Sequence, residues 1–122
     1  MSKTINQILR DLIEFYESEE KKEMDKEKPQ WDRVRLYSWT AYVLQEGLDW
    51  HWTVEEANEE MDKLVLAFRT ANTAKKSVQG QLDDRDFFYR SIITDLDTIQ
   101  GMIHGVSLFI NIISKENKWE DD

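Results

Sequence analysis

Apolar positions recur at helical spacing in four separate stretches of the chain. The longest runs from Asp84 to Ser114. There Tyr89, Ile92, Leu96, Ile99, Ile103, Val106, Ile110 and Ile113 follow at alternating steps of three and four. Such a stripe is held on one face for about seven turns of helix. No proline interrupts it, and Asp83 or Asp84 can cap its start. A first helix is predicted over 4–24. Thr4 and Gln7 make a capping pair, and Ile5, Ile8, Leu9, Leu12, Ile13 and Tyr16 line its apolar side. Glu17 to Lys28 is almost wholly charged, which predicts a solvated or frayed end before Pro29. A third helix, 53–76, starts on the capping box Thr53/Glu56 and turns Val54, Ala57, Met61, Leu64, Phe68 and Ala71 inward.

The second helix, 32–46, is apolar on two sides. Val34, Tyr37, Ala41, Leu44 and Leu48 share one arc, while Leu36, Trp39 and Val43 share the opposite one. Gly47 is the expected stop signal. The long helix, 84–114, also has a second apolar side, carrying Gly101, Gly105, Leu108 and Ile112. Two such faces left in water would make a patch that soluble monomers rarely expose. A homodimer through Leu36, Trp39, Val43, Gly101, Gly105, Leu108 and Ile112 is therefore expected; the alternative is a long helix at the centre of the fold, with neighbours of the same chain covering both its sides. The pattern as a whole predicts an all-α fold. It is one domain, 1–122: a four-helix, mostly antiparallel bundle organised around the long C-terminal helix. An acidic tail, 115–122, follows, in which Trp119 alone has a reason to dock.

Composition narrows the function classes. One proline and four glycines leave few turns and argue against a many-stranded sheet. The absence of cysteine excludes disulfides, thiolate nucleophiles and cysteine metal sites. Twenty-five acids against sixteen bases give a formal charge of −9. That field disfavours direct nucleic-acid binding and suits a protein partner with a basic surface. The N-terminus lacks the apolar core of a secretory signal. The uncharged run Thr98 to Ser114 is broken by Gln100, His104, Ser107 and Asn111 and reads as too short and too polar for a membrane span. The expectation is a cytoplasmic protein that does not engage membranes.

Candidate chemistry is sparse. Trp50-His51-Trp52, with Glu55, Glu59 and Asp62 just beyond it, offers aromatic and acidic groups to a partner protein. Asp95 falls within the apolar arc of the long helix, where a carboxylate needs a partner; Arg10 and Arg69 are the candidates. Asp97, His104 and Asn111 share another face. Asp97 and His104 stand two turns apart, roughly 10 Å, too far for a direct hydrogen bond. No nucleophile accompanies His104, so no triad is indicated.

Glu56-x-x-Glu59 and, after 23 intervening residues, Asp83-x-x-Asp86 make two acidic pairs. Their spacing resembles the paired acidic motifs of the all-α nucleotide pyrophosphohydrolases. The resemblance implies Mg²⁺ held by Glu56, Glu59, Asp83 and Asp86, with nucleoside triphosphates as substrates. It covers the middle of the chain only, and Asp83 stands where that family has Glu. Glu56 and Glu59 also point away from the inward stripe of their helix, whereas metal ligands in a bundle project inward. The reading favoured by the residues is a small acidic non-catalytic protein-binding module, such as an inhibitor, adaptor or immunity-like protein, with no catalytic residues and no cofactor. The alternatives are the Mg²⁺-dependent pyrophosphohydrolase and an acidic nucleic-acid mimic that blocks a DNA- or RNA-binding protein. Lysines interleaved in 17–28 interrupt the sustained negative surface a mimic needs.

Overall fold

A computed structural model describes residues 3–81, 87–115 and 119. The fold is an all-α four-helix bundle: α1 (Ile5–Met24), α2 (Trp31–Trp50), α3 (Val54–Val78) and α4 (Phe87–Lys115). Both expected capping boxes form. Thr4 Oγ1 accepts from Gln7 N–H at 3.2 Å while Gln7 accepts from Thr4 N–H at 3.2 Å. Thr53 and Glu56 do the same for α3, at 3.1 and 3.3 Å. Each box satisfies two backbone donors that the first turn leaves open. The caps expected at Asp83 or Asp84 lie outside the described residues, as does the acidic tail apart from Lys115 and Trp119.

Helix α2 runs past the predicted stop. Gly47 sits inside it, and the end comes at His51, the one described non-glycine residue with positive φ, at 49°. Trp52 N–H donates to the Gly47 carbonyl at 3.2 Å and His51 N–H to that of Leu48 at 3.4 Å, which is a Schellman closure. Gly47 serves packing instead. A Cβ there would stand 2.4 Å from the Phe109 ring, so only glycine leaves room for it.

Helices joined by short connections run antiparallel, and Tyr16 accordingly meets Tyr37 across α1/α2. The central contact is different. Arg35 meets Asp97, Leu36 and Trp39 meet Gly101, Thr40 and Val43 meet Gly105, and Gly47 meets Phe109. Helices α2 and α4 therefore lie parallel and in step. α1 covers the free side of α2, and α3 packs on the other side of α4. A Cβ at Gly101 would fall 2.9 Å from Trp39 Cβ, and one at Gly105 3.0 Å from the Thr40 carbonyl oxygen. The buried Thr40 hydroxyl donates to the Leu36 carbonyl at 2.6 Å and reaches that of Gly101 at 3.2 Å. The glycine pair expected between two chains is thus filled by α2 of the same chain. The two extra apolar faces are each other's partners, with Leu36, Trp39, Val43 and Leu108 wholly or partly buried there.

The core lies at one end of the bundle. Ile5, Leu9, Leu44, Val106 and Phe109 are all but inaccessible, joined by Ala57 at the start of α3. Phe109 was not part of the predicted stripe. The most buried line of α4 is turned toward α2 and passes through Gly101, Gly105 and Phe109, leaving Ile103 and Ile110 half-buried. By length and composition α4 is apolar enough to cross a membrane, more so than the interrupted run of polar residues suggested. In the bundle its apolar sides are shared between α2 and α3.

The charged end of α1 is helical to Met24, and one of its acids is structural. Glu23 is buried, accepting from Lys26 Nζ at 2.6 Å and from Gln30 N–H at 2.9 Å. It ties the α1/α2 turn to the start of α2, whose own N-cap, Gln30, offers no side-chain bond.

Candidate functional site

Helix α3 is seated most deeply at its beginning. Ala57 is its one buried residue, with Met61 and Leu64 packed against the core. Beyond Leu64, α3 lines the space toward α4 with the short side chains Ala67, Thr70, Ala71 and Ala74, while Phe68 and Val78 are half-buried beside them. Opposite them stand Ile92, Ile99 and Met102 of α4. Short side chains cannot span the space between two helices set by the larger residues further down. An open groove of about 880 Å³ remains, with Leu66 and Phe88 exposed at its margins, 67% and 56% accessible. Its lining is apolar apart from Lys63, Thr70, Asp95 and Thr98. The Thr70 hydroxyl donates to the Leu66 carbonyl at 2.9 Å, and Lys63 lies 3.4 Å from Glu60.

Asp95 belongs to this groove. Neither Arg10 nor Arg69 pairs with it; it is exposed, and no ion pair engages it among the described residues. The α4 carboxylate that does face another helix is Asp97, bound by Arg35 at 2.7 and 3.2 Å. The cause is the phase of α4: with its glycines against α2, Asp97 falls on the α2 side and Asp95 opens toward α3. The rest of the polar strip is divided as well. His104 Nε2 lies 3.1 Å from the Tyr16 hydroxyl, and Asn111 is exposed. Burial, aided by Tyr37, raises the Tyr16 pKa, so Tyr16 is a neutral phenol there.

The other expected site residues divide between surface and core. Trp50 is 72% exposed, whereas Trp52 packs edge-on against Phe109, with ring centroids 5.5 Å apart. His51 stacks on Trp119 at 4.3 Å and 4° between planes, and Trp119 also approaches Phe109. The tripeptide is thus mainly a plug for the closed end of the bundle. Glu55, Glu59 and Asp62 are exposed on α3. Glu56 is engaged in its capping box, and Asp83 and Asp86 lie outside the described residues. Among the described residues, no three His, Asp or Glu side chains are grouped to hold a metal.

Sequence reasoning missed the groove. A signal for it existed: Lys63 to Gln81 holds no acid, and between Phe68 and Val78 its apolar positions, 71 and 74, are alanines. No known protein family, characterised protein or solved structure matches the chain.

Proposed function

We propose that the chain is a small non-catalytic protein-binding module that acts by contact, and that its contact surface is the α3/α4 groove. The observation that carries this reading is the groove itself, about 880 Å³ of open, almost wholly apolar space flanked by exposed Leu66 and Phe88. A pocket of this size and lining is what recognition sites use. Exposed apolar surface that folding has not covered marks an interaction site more often than an accident. The acidic, aromatic surface at Trp50, Glu55, Glu59 and Asp62 is secondary in this reading, because Trp52 is committed to the core.

A photo-crosslinking side chain placed at Leu66, and separately at Trp50, tests the reading in the native host. The Leu66 position is expected to capture one protein in stoichiometric yield, and Ala71→Glu is expected to abolish the capture. Capture through Trp50 that is indifferent to Ala71→Glu would move the surface away from the groove. Mg²⁺-dependent cleavage of nucleoside triphosphates to monophosphates, lost in Glu56→Gln, would overturn the non-catalytic reading.

A further inference from the structure

Helices α2 and α3 both pack on α4 but hardly on each other. A second pocket, of about 370 Å³, occupies the crevice between them, on Met102 and Val106 of α4. Three aromatic rings border it: Tyr42 and Trp50 from α2, and Trp52 from the connector to α3. Two of the rings are held by neighbours. Trp39 meets Tyr42 edge-on at 5.3 Å, and Phe109 meets Trp52 at 5.5 Å, between centroids. Trp50 is the exposed one.

Each wall of the crevice also brings a carboxylate, Glu46 from α2 and Glu60 from α3. Glu60 has the exposed Lys63 beside it at 3.4 Å. Glu46 is half-buried, and no ion pair engages it among the described residues. The surroundings have the same sign. Residues 40–62 carry seven acids and no lysine or arginine, and Lys63 is the first base after them. On α4, 98–114 carries no lysine or arginine either, and its His104 lies against Tyr16.

Aromatic faces attract cations, and carboxylates add to that attraction. A neutral apolar ligand would desolvate Glu46 with nothing in return, and an anion would be repelled. A bare ammonium holds its water strongly, whereas methyl groups spread the charge over a surface that rings can touch. We propose that this pocket binds a methylated ammonium group, with Tyr42, Trp50 and Trp52 around the methyls and Glu46 beside the charge. The site does not rest on the reading of the α3/α4 groove, with which it shares Leu64 and Met102 as lining.

Choline and its neutral carbon isostere, in which a tert-butyl group replaces the trimethylammonium, are titrated into the protein. NMR follows the indole N–H groups of Trp50 and Trp52. Choline is expected to shift both signals and to bind at least roughly tenfold more tightly than the isostere. Trp50→Ala should weaken choline roughly tenfold and Glu46→Gln roughly threefold or more, with circular dichroism showing both folded. Asp95→Asn, in the other groove, should change it less than twofold. A peptide bearing trimethyllysine should bind more tightly than the same peptide with plain lysine. Choline tighter than the trimethyllysine peptide makes the source a small molecule, and the reverse order a modified protein; each supports the site. Equal binding of choline and the isostere, equal binding of the two peptides, or no shift with either cation overturns the proposal. So does binding that is indifferent to both Trp50→Ala and Glu46→Gln.

Discussion

Where Leu9, Leu44, Val106 and Phe109 meet, the helices are joined by apolar contact, and Trp52, Trp119 and His51 close that end with stacked and edge-on rings. At the opposite end the apolar burial is thinner, at Val34, Ile92 and Leu96, and polar joints stand beside it. Glu23 holds the α1/α2 turn, Arg35 and Asp97 join α2 to α4, and Trp31, Phe87, Phe88 and Leu66 remain exposed. One chain therefore builds a sealed end and an open one from the same helices. The difference is traceable to side-chain size. Glycine at 47, 101 and 105 brings α2 and α4 together, and Phe109 fills what is left. Alanine at 67, 71 and 74 meets no such filler across the α3/α4 space. Small residues close an interface only when the facing helix comes down onto them.

The sealed end should yield the largest loss. Phe109→Ala removes a fully buried ring and should cost about 3–5 kcal/mol in urea denaturation. Gly47→Ala alone should cost about 1–3 kcal/mol, because its Cβ meets the ring at 2.4 Å. In the Phe109→Ala background most of that cost should vanish, since the clashing atoms are gone. Additive costs would mean that Phe109 does not fill the space at Gly47.

The next test compares the two sides of α4. Gly105→Ala places a Cβ 3.0 Å from the Thr40 carbonyl oxygen, a backbone atom with no rotamer to give way. A net loss of about 1–3 kcal/mol is expected, despite the gain of about 1 kcal/mol that alanine brings to a helix interior. Ala71→Leu grows into the open groove and should change stability by no more than about 0.5 kcal/mol. Thermal melts of both variants check this pair. Equal effects would erase the contrast between the filled and the empty side.

Much of this was legible in the chain. Both capping boxes, the four helices and the double-sided character of α2 and α4 follow from local spacing. Contact between those two extra faces was not legible, because a glycine pair looks the same whether its partner is another chain or the neighbouring helix. Asp95 and Asp97 were exchanged for a related reason. Two residues apart on a helix point about 200° apart, and only the docking of Gly101 on Trp39 decides which faces inward. Glu23 was hidden by its neighbours: in a run of charges nothing local marks the one that folds back on the next helix. Trp119 did reveal itself, as an isolated aromatic in an acidic tail, and it stacks on His51.

Acid should loosen the open end first. The Lys26 ammonium and the Gln30 N–H hold the Glu23 carboxyl below its ordinary 4.5. Its stabilisation is therefore complete above about pH 4.5 and lost as pH falls through the lowered folded value. Glu20, pushed up by burial and then by Glu17, works in the opposite direction. The informative quantity is the difference in melting temperature between the protein and Glu23→Gln. That difference should hold from neutral pH to about 4.5 and shrink below it. A difference constant through the acid range would remove the charge of Glu23 from the account of the turn.

The smallest effect on stability should come from Leu66→Glu. The side chain is 67% exposed and lines the mouth of the groove rather than the core. Exposed substitutions of this kind stay within about 0.5 kcal/mol. If Leu66 belongs to a contact surface, the same change should abolish crosslinking from a reporter at Phe88, across the groove, while circular dichroism and melting temperature remain those of the parent. A large loss of stability would instead mean that α3 is seated along its whole length, and that the open end is closed in solution. Stability and binding that both stay unchanged would leave the groove folded as described but move the contact surface elsewhere. The open end owes its shape to the short side chains of α3, so a change at its margin should alter what it binds and not how the bundle holds together.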